Sequence, residues 1–211
     1  TDMGDYECKV VIIAAGRVPK ELGLDNEKQL AGRGISWCAL CDGFLYKDKV
    51  VAVVGGGNSA LEEALYLADI AKKVYVIHRS NTFCADQILQ TEVMNKDNIE
   101  LMHNSNIIEI KEQDNKLSEI VVKENDEIKN LLLDGLFIRI GFRPNLRFIE
   151  NLNLKLDGGY IVVDQNMETS IKNIFACGDI IKKEIYQIST AVGEGATAGI
   201  NAAKKINVKN S

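Results

Sequence analysis

The chain of 211 residues carries 30 acidic against 25 basic side chains, a formal net charge of −5, and 46% of it is hydrophobic. That length allows one or two domains with a substantial core, and the acidic balance argues against nucleic acid as a partner, because phosphate binding draws on clustered Lys and Arg. No apolar run approaches the roughly eighteen residues that read as a membrane span, no signal-peptide pattern opens the chain, and the few cysteines are mostly unpaired, which together predict a cytoplasmic protein.

The first structural pattern is an apolar run, Val10 to Ala14, ending in Ala15-Gly16-Arg17-Val18-Pro19. Next comes Trp37-Cys38-Ala39-Leu40-Cys41-Asp42-Gly43. A Cys-x-x-Cys pair can be a redox dithiol, half of a zinc site or two buried cysteines. Zinc needs two further ligands at workable spacing, whereas Cys8, Cys84 and Cys177 stand alone and the histidines are only His78 and His103. Trp37-Cys38-x-x-Cys41 is similar to the active-site string of thioredoxin-like domains, but a glycine-rich turn follows it here. As a dithiol the pair would act through its thiolate. Asp42 is then either a carboxylate placed to move a proton or a turn residue in Asp-Gly.

Val50 to Val54 is unbroken and rich in β-branched residues, as expected for a strand buried on both faces of a parallel sheet. Leu61, Ala64, Leu65 and Ala68 follow at the spacing of one packed helix face. Between them, Gly55 permits the tight turn, Gly57 lets the backbone approach a pyrophosphate, and Ala60 allows close helix–strand packing. Gly55, Gly57, Asn58, Ser59 and Ala60 are therefore candidate contacts of a dinucleotide. The next strand, Val74 to Ile77, ends in His78-Arg79-Ser80 with no acid at its tip, which favours a 2′-phosphorylated nicotinamide cofactor. His78 and Arg79 are the candidate ribose or phosphate contacts there.

Ile107 to Leu133 alternates in short runs and reads as an antiparallel meander, and Leu136 to Ile140 returns to the parallel sheet. Gly141 to Asn145 is a linker, and the chain closes with a helix over Ala191 to Ile206. Asp179, after Ile174-Phe175-Ala176, is either a simple turn residue or suited to a flavin ribityl or ribose hydroxyl. Cys84 and Cys177 read as small buried hydrophobes, His103 as a surface or capping residue, and Lys182-Lys183 and Lys204-Lys205 as solvated faces. The fold class is α/β, Rossmann-like.

Taken together, Ala14-Ala15-Gly16-Arg17-Val18-Pro19, Cys38-x-x-Cys41-Asp42-Gly43, the Gly55 turn, His78-Arg79, Ile140-Gly141-Phe142-Arg143-Pro144-Asn145, Phe175-Ala176-Cys177-Gly178-Asp179, Gln187 and Gly193-Glu194-Gly195 resemble the low-molecular-weight thioredoxin reductases. The resemblance implies a two-domain flavoprotein reductase using FAD and NADPH. Residues 1–21 would end a first FAD-domain segment, 22–141 would be the NAD(P)H-binding domain with the redox pair, and 142–211 a second FAD-domain segment. Gly178, Asp179, Gln187 and Ile188 would contact FAD. Cys41 would face the flavin, Cys38 would attack a thioredoxin or thioredoxin-like protein, and Asp42 would be the acid/base. A homodimer and a domain rotation with hinges near Val18-Pro19 and Gly141 to Pro144 are also implied.

Two departures from that pattern set further expectations. Ser80 and Cys84 stand where the family has arginines, so NADH, or another donor such as ferredoxin, is an alternative to NADPH. Only one glycine-rich nucleotide turn is present, which leads to the expectation of a fragment lacking the N-terminal FAD-binding segment. The alternative function is a non-catalytic nucleotide-binding module.

Overall fold

The computed structural model describes residues 3–207 and divides into two compact units, one of residues 3–18 and 142–207, the other of residues 19–141. The first unit opens with β1 (Val11–Ile13), and β2 (Arg17–Pro19) marks the chain's exit from it.

The second unit begins with β3 (Ile35–Ser36) and a four-residue helix α1 (Ala39–Asp42), continued by a 3-10 turn over Gly43–Tyr46. Then follow β4 (Val50–Val54), α2 (Asn58–Ala68), β5 (Lys73–Ile77), α3 (Gln87–Met94) and β6 (Ile99–Met102). β7 (Ser105–Gln113), β8 (Lys116–Glu124) and β9 (Glu127–Leu132) form an antiparallel sheet, and β10 (Gly135–Ile138) returns to the main one. That main sheet has the order β3-β10-β4-β5-β6 and is parallel throughout.

β4 lies at its centre, which accounts for its unbroken apolar sequence. Val51 and Val53 pack on one face with Ala60, Leu61, Ala64 and Leu67 of α2. Ala52 and Val54 pack on the other with Ile107, Ile110, Leu117, Ile120 and Val122 of the meander. Alternate residues of one strand thus feed two cores. The meander forms where the alternation places it, its first hairpin closed by Asp114 and Asn115, both at positive φ, as a two-residue turn matched to strand twist requires. The buried stripe of α2 differs from the expected one: Leu67 is fully buried where Leu65 is only partly so, and the stripe includes a carboxylate, Glu63. The run Leu136 to Ile140 stays in the ladder only to Ile138.

The first unit resumes with β11 (Phe142–Pro144), which pairs with β2. β12 (Leu156–Asp157) and β13 (Tyr160–Ile161) form a small hairpin, and β14 (Ile174–Ala176) runs parallel to β1. α4 (Ile188–Asn207) closes the unit, packing Ala198 and Ala202 against Phe175 and Cys177. Of the opening apolar run only three residues are strand, and Val11 and Ile12 remain exposed, because among the described residues β14 is the only partner of β1.

Candidate functional site

In the second unit the chain leaves β4 at Gly55 and enters α2 at Asn58. Each glycine of the turn has its own steric reason. A Cβ on Gly55 would lie 2.4 Å from the Arg139 carbonyl oxygen and 2.9 Å from the Ala60 Cβ, and one on Gly56 would lie 2.2 Å from Cε1 of His78. Gly57 is different, since nothing lies within 4 Å of the position its Cβ would take. That open space, beside a helix N-terminus whose cap makes no side-chain hydrogen bond, leaves backbone donors and the positive end of the helix dipole facing outward, as an anionic diphosphate requires. The turn fits a dinucleotide.

His78 is buried beneath this turn, its Nε2 3.0 Å from the Thr82 carbonyl oxygen and its ring stacked on Phe83. Burial holds its imidazole below the ordinary histidine range, so Nε2 carries the proton donated to Thr82 in the neutral ring. The loop beyond His78 is tied back to the turn: Cys84 donates its N–H to the Gly56 carbonyl at 2.8 Å. The Asn58 side chain and Asp86 exchange two hydrogen bonds of 2.8 Å each. Arg79 and Ser80 are adjacent on that loop, and both are exposed.

Upstream, Cys38 and Cys41 are joined in a disulfide, with Cα atoms 5.3 Å apart. Cys38 caps α1, its Sγ accepting the Cys41 N–H at 3.2 Å. Cys38 is half-buried and Cys41 exposed. Ser36, buried at the end of β3, organises the pair. Its Oγ accepts the Cys38 N–H at 3.0 Å and donates its one proton to Asp42 Oδ2 at 2.6 Å. Asp42 also donates its N–H to the Cys38 carbonyl at 3.2 Å. The carboxylate is therefore anchored beside the disulfide by a specific hydroxyl rather than being only the first residue of an Asp-Gly turn.

In the first unit, the strand β14 ends at a 3-10 turn over Gly178–Ile180. Arg17 meets Asp179 Oδ2 from Nη2 at 3.2 Å and from Nε at 3.3 Å. The Arg17 guanidinium lies over the rings of Tyr186 and Phe142, 4.0 and 5.0 Å from their centroids. Lys183 reaches Asp179 at 3.5 Å and Glu194 at 2.9 Å, and Glu194 accepts the Gly178 N–H at 2.9 Å. Gln187 and Ile188 are exposed at the start of α4. A carboxylate at a strand end beside a helix start suits a polyhydroxyl chain, which it would bind as acceptor.

The pyridine nucleotide-disulphide oxidoreductase family matches residues 1–195. The chain belongs to this family. The curated thioredoxin reductase of Bacillus subtilis is 41% identical over 199 residues, covering 92% of this chain and 62% of the relative. That of Mycoplasma pneumoniae is 44% identical, covering 90% and 61%. The crystal structure of thioredoxin reductase from Lactococcus lactis superimposes with a TM-score of 0.81 at 36% identity, covering 94% of this chain and 66% of that one. The chain thus spans a little under two thirds of the length of these relatives, and its fold is the α/β Rossmann-like fold of the family's flavoproteins.

Within this family member the second unit brings together Cys38, Cys41, Asp42, Gly55, Gly57, Asn58, Ser59, Ala60, His78 and Arg79, while Gly178, Asp179, Gln187 and Ile188 belong to the first. Several sequence expectations are corrected. Cys84 is exposed, because its buried neighbours Phe83 and Ala85 are the residues that enter the core, while Cys177 is buried. His103 packs on Phe83 instead of lying at the surface, and Lys183 is nearly buried between two carboxylates. Ser36, Glu63 and Arg139 were not singled out by the sequence. A serine two residues before a cysteine is uninformative, and a Glu-Glu pair on a helix gives no sign of which carboxylate turns inward.

Proposed function

We propose that the protein is a thioredoxin-disulfide reductase, passing electrons from NADPH through FAD and the Cys38–Cys41 disulfide to a thioredoxin or thioredoxin-like protein. One observation carries this reading: a disulfide anchored beside a carboxylate lies in the same compact unit as a glycine turn fitted to a dinucleotide. The names of the relatives agree with it. Residues 22–141 would hold NAD(P)H, with Gly55, Gly57, Asn58, Ser59 and Ala60 at the pyrophosphate and Arg79 toward the ribose phosphate. His78 would act from beneath, by supporting the turn. Residues 1–21 and 142–211 would serve FAD, with Gly178, Asp179, Gln187 and Ile188 at its flavin and ribityl end. A homodimer in the cytoplasm completes the proposal.

When bound, the flavin would relay the two electrons of a nicotinamide hydride. The chain's own residues do the rest. Two electrons cleave the Cys38–Cys41 bond, leaving Cys38 as a thiolate while Asp42 is placed to pass one proton to Cys41. Cys38, as thiolate, then attacks one sulfur of the partner's disulfide, releasing the other as a thiolate that takes a proton from solvent and forming a mixed disulfide. Cys41 attacks Cys38, which restores the intramolecular bond and frees the reduced partner. Asp42 accepts the proton that Cys41 gives up.

Adding NADPH anaerobically to the intact protein carrying bound FAD and alkylating the products tests the reading. Two new thiols per chain, at Cys38 and Cys41, are expected. An NADPH-treated protein in which both cysteines stay blocked would refute it.

A further inference from the structure

A buried ion pair lies behind the redox helix, and nothing in the electron path described above uses it. Glu63, on α2, is 7% exposed and surrounded by the alanines and leucines of the helix's packed face. Arg139 follows β10, and its Nε lies 3.2 Å from Glu63 Oε1. Burial pushes the Glu63 carboxyl above the usual range, while Arg139 and the backbone N–H of Ala39 oppose that shift by stabilising its charge. A carboxylate inside a helix–sheet interface is costly unless it is compensated, and the groups that compensate it here all lead to one place.

That place is Cys38. Arg139 Nη1 donates to the Trp37 carbonyl at 3.0 Å, and Trp37 C=O belongs to the peptide plane that enters Cys38. The remaining polar groups of Cys38 are held from the other side, its N–H by Ser36 Oγ and its carbonyl by the Asp42 N–H. The peptide plane that enters Cys38 is thereby tied through Arg139 to the end of β10 and to Glu63 on α2, while the plane that leaves it is held by the Asp42 N–H. Cys41 is exposed, with its own N–H resting on the Cys38 sulfur.

We infer that Glu63 and Arg139 are positioning residues for the redox pair, holding Cys38 at disulfide distance from Cys41 in the reduced protein as well as the oxidised one. This deepens the proposed function and rests on it. Two thiols kept at bonding distance have a high effective concentration toward each other, as preorganised reactants do. The pinned backbone therefore favours the disulfide at equilibrium and makes the dithiol a stronger reductant. The same Arg139 presents its carbonyl to Gly55, so the nucleotide turn and Cys38 are referred to a single residue.

The test is the equilibrium of the Cys38–Cys41 couple against a glutathione redox buffer, read by alkylation and mass spectrometry, with thermal unfolding and NADPH binding measured alongside. Arg139→Met leaves the Glu63 carboxylate buried without its partner and is expected to lower stability, so the deciding variant is the double substitution Glu63→Leu with Arg139→Met. Replacing a buried ion pair by apolar groups is often neutral or stabilising. The double variant is expected to keep its melting temperature while the equilibrium constant for disulfide formation falls about tenfold, a shift of about 30 mV toward a weaker reductant. Arg139→Lys, which keeps the charge but not the two-pronged reach to Glu63 and Trp37, is expected to fall between.

An unchanged couple in a stable double variant would overturn the inference. The assay needs neither thioredoxin nor FAD, so a wild-type protein whose cysteines form no reversible couple would instead refute the proposed function.

Discussion

The turn at Gly55–Ala60 and the segment Gly178–Ile188 both join a strand end to a helix, yet they are completed by different forces. The first is closed by shape: Gly56 rests on the His78 ring, Gly55 on the Arg139 carbonyl, and the helix beyond opens without a side-chain cap. The second is closed by charge, with Asp179 and Glu194 drawing in Arg17 and Lys183 and Glu194 taking the Gly178 N–H. A turn closed by shape tolerates no added atom on its packed side and is little affected by salt. A turn closed by charge accepts small changes of shape but depends on every partner and on ionic strength.

The sharpest way to break this contrast is Gly56→Ala. All the near atoms its Cβ would meet belong to the His78 ring, the nearest at 2.2 Å, and overpacking of this kind costs about 1–3 kcal/mol or more. A lowered melting temperature and loss of NADPH binding by titration are expected. Gly57→Ala should separate the two effects, because its Cβ enters open space: melting stays near wild type while NADPH affinity falls at least roughly tenfold through the blocked approach to the pyrophosphate. Equal stability loss in both variants would show that the turn is not shaped as described.

Donor preference sharpens the same half of the comparison. Ser80 and Cys84 are neutral positions on the loop beside the turn, and charge-assisted hydrogen bonds are worth roughly 1.5–3 kcal/mol each. Ser80→Arg with Cys84→Arg is expected to raise the ratio of kcat/KM for NADPH over NADH about tenfold or more. A strong NADPH preference already present in the wild type would show that Arg79 and its neighbours suffice.

On the charge-closed side, Glu194→Gln removes the nearer of the two carboxylates around Lys183 but keeps an acceptor for the Gly178 N–H. The loss should be about 1–2 kcal/mol, smaller at high salt than at low. A loss independent of salt would mean that packing, not charge, closes this segment.

The smallest effect is on pH dependence. Burial lowers the His78 pKa in the folded protein, so below about pH 6.5 the unfolded chain takes up a proton that the folded chain refuses. Stability from this group is therefore full above that pH and declines as pH falls through the window between the unfolded and folded values. Glu63, whose pKa is raised, acts in the opposite sense. The measurement is thus the difference between wild type and His78→Gln in melting temperature at pH 7.5 and 5.5, and wild type should lose more on acidification.

The sequence made legible what depends on local pattern. Val50 to Val54, the glycine turn and the Ile107 to Leu133 meander are written in spacing of two or 3.6 residues and in turn chemistry, and the strands and hairpins stand at those places. What it hid depends on partners far along the chain. Arg17 is 162 residues from Asp179, and Arg139 is 102 from Trp37. No periodicity reports such pairs. The strand-end position of His78 suggests a ribose or phosphate contact, yet its buried ring fills the space that Gly56 leaves, which only the fold of the turn defines. Lys183 was read as solvated because a Lys-Lys pair usually is, but one of the two turns toward Asp179 and Glu194.

The account stands most directly on Cys38. NADPH-dependent appearance of thiols in an oxidised thioredoxin, measured with the intact protein carrying bound FAD and with its Cys38→Ser variant, is the decisive comparison. The account predicts turnover with wild type and none with Cys38→Ser, while that variant still binds NADPH as wild type does. Undiminished thioredoxin reduction by Cys38→Ser would contradict it.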